Sequence, residues 1–422
     1  MKNLPALPDT IWMDVKKAMD TKHGETGWSG LRKEQVCELV RKTRSSMGHG
    51  NTISTVETMY NTMTDSPRAF LHASLLYAHP DPKKEEDNKG MRIMIFGNPS
   101  LFGLLELPGV DMFIDATFSC CPDPFKQCLI IMVYDHSTRS YVPVLYILMT
   151  HKTEHLYKIA FGHVVALSDW KIGVRTYTSD FERGLMNGLK FHFGGKKGSA
   201  VHIGCLFHLK QAWRKYLIQK VEMNGSSVKL AMETCVLDLL TIIPREEVRE
   251  YGIPYCRSVL EDGQPSSIVK LWDIFWAYFE TTWMPILSSW NICSEDDEYI
   301  DFVNRTNNGL ESYNKHINKL YPKQPGLIEF VQTLEKETLR VDANLTGIRR
   351  GQVGLPTRRE PLVIPLLPAA YLNFKHEMVS QSQSKTKKKA AAKKTKKAAA
   401  PAVVTTSAST TTKKKKVATA RK

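Results

Sequence analysis

The stretch 110–118, VDMFIDATF, decides how the rest of the chain is read. It is apolar and rich in aromatic and β-branched residues, so it reads as a strand. Asp115 stands inside it, with Phe113, Ile114 and Phe118 around it. A carboxylate in such a run is costly to bury unless it is paired, hydrogen-bonded or bound to a metal.

Working outward, 127–134 (QCLIIMVY) reads as a second strand and 135–138 (DHST) as a turn. The third strand is 141–149 (YVPVLYILM), where Pro143 favours an edge position or a bulge. An amphipathic helix follows over His155–Trp170. A fourth strand, 173–179 (GVRTYTS), ends at Asp180, and a second helix covers Phe181–Phe193. Ala200–Cys205 is a fifth strand and Phe207–Lys220 a third helix. Three consecutive strands, then alternating helices and strands, predict an α/β fold: a mixed sheet with helices on its faces.

Asp180 repeats the pattern of Asp115, and functional groups gather at strand ends in such sheets. If the two strands are neighbours, the carboxylates lie side by side, and they repel unless a cation sits between them. Hard carboxylate oxygens favour Mg²⁺ or Mn²⁺. Taken singly, each Asp reads better as a strand-end or turn residue satisfied by backbone amides, and only the wider pattern overturns that reading. Asp111, Asp135, Asp169 and Glu182 are read as surface or turn residues.

From about residue 92 to 320 the sequence resembles the Mutator-like element (MULE) transposase family, of the DDE type. The blocks that carry the resemblance are VDMFIDATF at 110–118 with Pro124 and Gln127, and YVPVLYILM at 141–149 with Thr153 and Tyr157. Then come TSDFE at 178–182, GCLFHLKQA at 204–212 and NNGLESYN at 307–314. The resemblance implies an RNase H-like mixed-sheet core with a helical insertion before the last acidic residue. It implies that Asp115, Asp180 and Glu311 form the catalytic triad and hold two Mg²⁺ or Mn²⁺ ions. With them the enzyme would cut DNA at transposon ends and join the freed ends to target DNA. Pairing of two ends implies a homo-oligomer. Glu311 by itself reads as a solvated helix residue.

The expected organisation is a mostly helical N-terminal region (1–100), the first part of the core (101–224), a helical insertion (225–300), completion of the core with the last acid (301–375), and a disordered Lys/Ala-rich tail (380–422). In the N-terminal region, 31–43 (LRKEQVCELVRKT) has helical spacing and 79–87 (HPDPKKEED) reads as a loop. In the insertion, Trp272, Trp276, Trp283 and Trp290 are read as core, with base stacking as the alternative for the last two. Thr306, Asn307 and Asn308 can cap the following helix.

There are 8 cysteines. No apolar run follows a basic start, so no signal peptide is expected, and no run of about 18 apolar residues predicts a membrane span. The cysteines are therefore expected as reduced thiols. Cys205-x-x-His208 has zinc-ligand spacing, but a structural zinc needs four ligands. Cys235 or Cys256 could complete it, but by spacing alone a buried Cys and a hydrogen-bonded His at a strand–helix junction is the favoured reading. This pair recurs in the resembled family. It is read as a structural site separate from the catalytic metals.

The net charge is +15, and Lys385–Lys422 holds 14 Lys and Arg with no acid. Removing those 14 leaves about +1 for residues 1–384. The tail is expected to bind DNA without sequence preference and to direct nuclear localisation, or else simply to solubilise. Members of the resembled family often carry an upstream zinc module, whereas residues 1–100 hold the single Cys37. That departure keeps a second reading open: a domesticated DNA-binding or regulatory derivative without catalytic activity.

Overall fold

The computed structural model describes residues 8–24, 30, 32–47, 52–61, 70–77, 90–194, 200–293, 305, 308–321, 325–357 and 366–398. The loop read at 79–87, the capping residues Thr306 and Asn307, and the end of the tail from 399 lie outside them. The chain divides into two compact units, Met1–Leu366 and Leu367–Lys422.

In chain order the first unit opens with α1 (Pro8–His23), α2 (Lys33–Met47), α3 (Thr52–Asn61), β1 (Leu71–Tyr77), β2 (Met91–Phe96) and α4 (Pro99–Phe102). The expected core strands and helices follow as β3 (Val110–Thr117), β4 (Gln127–Asp135), β5 (Ser140–Met149), α5 (Glu154–Leu167), β6 (Val174–Ser179), α6 (Arg183–Phe193), β7 (Val201–Gly204) and α7 (Leu206–Gln219). A helical block contains α8 (Gly225–Ala231), α9 (Ile253–Glu261), α10 (Ser266–Tyr278) and α11 (Leu287–Trp290), joined by 3₁₀ and π turns. The unit ends with α12 (Asn308–Leu320) and α13 (Leu327–Arg349).

Seven strands make one mixed sheet, in the order β1-β2-β5-β4-β3-β6-β7. The β3–β6 and β6–β7 pairs are parallel and the rest antiparallel. Side chains alternate between the faces as the pleat demands. Met112 and Ile114 of β3 join Leu129, Ile131 and Val133 of β4 on the face covered by α5 and α6. Phe113, Ile130 and Met132 point to the other face, where Leu310 and Ile317 of α12, Phe330 and Leu334 of α13, and Val56 of α3 cover them.

Beside three helices, the first hundred residues carry two strands: β1 and β2 extend the sheet beyond β5, pairing as β1–β2 and β2–β5. Pro143 therefore lies in an interior strand, and the ladder takes it at a bulge, where Ile131 pairs with Leu145 and Met132 with Pro143. In the second unit, α14 (Ala369–Ala398) runs through much of the tail expected to be disordered. Ala and Lys are both strong helix formers, which outweighs the lack of an apolar face.

His202 lies in β7, the strand at the parallel edge of the sheet. Its Nε2 lies 2.9 Å from Ser179 Oγ and its ring stacks on Tyr177 at 5.1 Å. Burial pushes the imidazole down from 6.5 to about 4. Between about pH 4 and 6.5 such a group stays neutral in the fold but protonates once unfolded. Its contribution is intact above pH 6.5 and falls away as the pH drops toward 4, by roughly 3 kcal/mol at most. Thermal melts across that window should show the His202→Gln protein losing less stability toward acid than the wild type. Parallel curves for the two proteins would contradict this.

Candidate active site: carboxylates at the strand ends

In the parallel β3–β6 ladder Phe113 pairs with Thr178. Two residues further along, Asp115 and Asp180 come to the carboxyl ends of these neighbouring strands. Next to β6, Ser179 pairs with Gly204, and the Cys205 amide donates to Ser179 O at 2.9 Å. Cys205 is the N-cap of α7, so His208 falls in the first helical turn. Gly204 allows this junction to form: a β-carbon there would sit 2.2 Å from the Phe181 ring and 3.1 Å from Ser289 O.

The third carboxylate arrives on α12, which packs against β3. Asn314 Nδ2 donates to Asp115 Oδ2 at 3.0 Å, and Thr117 Oγ1 donates to Asn318 Oδ1 at 2.9 Å. Glu311, Asn314 and Asn318 are three and four residues apart and share one helical face. Gly309 lets the start of α12 close on β5, since a β-carbon there would lie 2.6 Å from the Tyr141 ring. That close approach, with Leu310 fully buried beside it, sets the position of Glu311.

Asp115 is buried and accepts the Ala116 amide on Oδ1 at 2.9 Å. Burial raises its carboxyl from 3.8 to about 6. His208 and the Ala116 amide oppose that rise, and Asp180 and Glu311 add to it. Burial works against a charged His208, but the Cys205 thiol, Asp115 and Asp180 outweigh it and push the ring up to about 9. Asp180 Oδ1 accepts the Glu182 amide at 3.1 Å. Glu182 Oε1 in turn accepts the Tyr157 hydroxyl at 2.9 Å, and Gln127 Nε2 donates to that hydroxyl at 2.9 Å. Burial raises the Glu182 carboxyl, with Asp180 adding to the rise and Tyr157 and Lys152 opposing it.

Asp115, Asp180, Glu311, Cys205 and His208 thus gather at one end of the sheet. The Cys205/His208 pair departs from its expected place. Its neighbour is Glu311: the donor atoms of Cys205, His208 and Glu311 all lie within 4.8 Å of one another. Among the described residues they form the one such group, and the three carboxylates alone do not. Like charges push carboxylates apart; here the Asn314 amide donates to Asp115, and the charge of His208 favours its ionised form. Neither Cys235 nor Cys256, either of which could have completed a zinc site, joins this group, and the Cys256 thiol donates to Val236 O.

Sequence reading missed Glu182 and the anchoring role of Asn314, though the helical spacing of Asn314 from Glu311 carried the signal. It also misplaced Asp111, which is buried, ion-paired with Arg175 at 2.9 Å and hydrogen-bonded by Thr176 at 2.7 Å. Asp135 does serve its turn, accepting from Ser137 and Thr138. Trp283 and Trp290 are buried core. No helix among the described residues is long and apolar enough to cross a membrane.

No family model matches the chain, and no curated protein matches it. Among solved structures there is a weak similarity to the Drosophila P element transposase strand transfer complex. It has 11% identity over 79% of this chain and 88% of that chain, with a TM-score of 0.23.

Proposed function

We propose that this chain is a DDE-type DNA transposase of the Mutator-like kind, cutting and transferring DNA strands with Asp115, Asp180 and Glu311. The observation that carries this reading is the convergence of three carboxylates, from two neighbouring parallel strands and one helix, on one end of the sheet. The order β5-β4-β3-β6-β7, with β4 antiparallel to both neighbours, supports an RNase H-like core.

The donor set fits Mg²⁺ or Mn²⁺. It is made of hard oxygens, and Glu311 Oε1 is buried without a hydrogen-bond partner. Such ions, when bound, supply activation of the attacking oxygen and stabilisation of the leaving one at phosphorus. The protein's part is positional. The sheet fixes the spacing of Asp115 and Asp180. Ala116 and Asn314 hold the two oxygens of Asp115, and the Glu182 amide holds Asp180. Burial around Asp115 keeps water from screening the charges. The Lys-rich tail adds a sequence-independent grip on phosphates and the address for the nucleus, and pairing of two DNA ends calls for a homo-oligomer.

The test is Mn²⁺- or Mg²⁺-dependent cleavage of a duplex carrying the terminal repeats that flank the coding sequence. Asp115→Asn, Asp180→Asn and Glu311→Gln are each expected to abolish cutting while DNA binding persists. A wild-type protein that binds this DNA without cutting it would favour the domesticated DNA-binding reading. Cutting that survives Glu311→Gln would remove Glu311 from the triad.

A further inference from the structure

We infer that Cys205, His208 and Glu311 form a binding site for a borderline-soft divalent cation of the zinc class, a site that shares Glu311 with the carboxylate pair. One sulfur, one imidazole nitrogen and one carboxylate oxygen lie within 4.8 Å of one another. That donor set suits zinc, which accepts all three ligand types, and is poor for magnesium, which prefers oxygen and water.

A second observation points the same way. His208 Nδ1 and Glu311 Oε1 are both buried without a hydrogen-bond partner. Buried polar atoms are ordinarily satisfied, and a bound ion is one of the partners that satisfies them. Two elements place the donors independently. Cys205 and His208 are fixed by the β7–α7 junction, where the Cys205 amide is tied to Ser179 O and Gly204 permits close packing. Glu311 is fixed by α12 through Gly309, Leu310 and Asn314. Cys205 is fully buried, while His208 and Glu311 are partly exposed, so the group opens to solvent on the imidazole and carboxylate side. Three protein ligands leave the fourth position of a tetrahedral ion to water, the arrangement of an open zinc site.

Binding takes a proton from the Cys205 thiol to solvent and leaves the thiolate as ligand. The site stands independently of the strand-cleavage reading. Only its consequence rests on that reading: a zinc-class ion holding Glu311 withdraws it from the triad and slows cleavage at constant magnesium.

The experiment is a titration of the metal-free full-length chain with Co²⁺, a zinc surrogate with visible and near-ultraviolet bands. A saturable thiolate-to-cobalt charge-transfer band with four-coordinate visible bands is expected. Zn²⁺ should displace the cobalt and excess Mg²⁺ should not. Cys205→Ser should remove the charge-transfer band. His208→Gln and Glu311→Gln should each weaken binding by more than about 100-fold, beyond what loss of an outer partner costs. Asp115→Asn should leave the band in place. Circular dichroism establishes that each variant is folded. Should Cys205→Ser not fold, the partly exposed His208→Gln decides the matter alone. Absence of the band in folded wild type would overturn the inference. So would a band that survives folded Cys205→Ser or full affinity in folded His208→Gln, since the ion would then sit on other thiols. Neither result touches the cleavage assay, which runs in magnesium.

Discussion

Asp115→Asn is expected to abolish metal-dependent DNA cleavage and, in the same protein without metal, to raise the melting temperature. The two effects share one cause. Asp115 is held in an apolar strand close to Asp180 and Glu311, and these surroundings lift its carboxyl from 3.8 to about 6. A carboxyl raised by folding penalises the native state wherever it must ionise. The penalty is complete above about pH 6 and vanishes as the pH falls below 3.8. At neutral pH it is on the order of 3 kcal/mol. An asparagine keeps the shape and an oxygen for the Ala116 amide without the charge, so the variant should melt several degrees higher at pH 7 and little differently near pH 3.5. The loss of cutting should exceed the roughly 10–100-fold that removal of an outer partner costs. Asn314→Ala, which frees Asp115 Oδ2 without removing a carboxylate, should fall within that range. A variant that melts lower than wild type at pH 7 would make Asp115 a structural residue and sink the functional reading.

Trp213→Ala should destabilise the fold by about 3–5 kcal/mol. Trp213 projects fully buried from α7 into the helical block, with its ring 5.7 Å from Phe279, 6.2 Å from Trp283 and 6.4 Å from Trp290. The same helix carries His208 in its first turn. Truncation would leave a large cavity at the joint between the sheet and the block. The indole nitrogen of Trp213 has no hydrogen-bond partner. Trp213→Phe should therefore recover most of the stability, because only ring volume is at stake. Trp290 differs: its Nε1 donates to Trp283 O at 2.7 Å, so phenylalanine there also strands a carbonyl. Chemical denaturation of the three proteins separates these cases. A Trp213→Ala protein as stable as wild type would mean the block docks by other contacts.

The central strands and the helices between them were legible because each carries its own local signal. The apolar runs at 110–118, 127–134 and 141–149 are long, and Asp115 and Asp180 interrupt or end such runs. The two N-terminal strands were not legible. LHASLLY and MRIMIF are short, and nothing near them in sequence shows that β2 pairs with β5. The site divides along the same line. Asp115 and Asp180 announce themselves by environment, whereas Glu311 sits in an ordinary amphipathic helix and took its meaning from the blocks around it. That Cys205 and His208 meet Glu311 is a matter of how α12 lies across the end of β3, which no spacing within the GCLFHLKQA block encodes.

The bulge in β5 gives the sheet something like a spare letter in a text. On its near side Val142 and Val144 face α5 and α6; on its far side Leu145, Ile147 and Met149 face the same helices. The alternation therefore skips a beat between Val144 and Leu145. Everywhere else in the strand, losing one residue would turn the remaining side chains onto the wrong face. At Val144 the loss would restore the regular beat, leaving Tyr141 on the face where it meets Gly309 of α12. The interior of this sheet thus holds one position where its length can change without rewriting which face each residue serves.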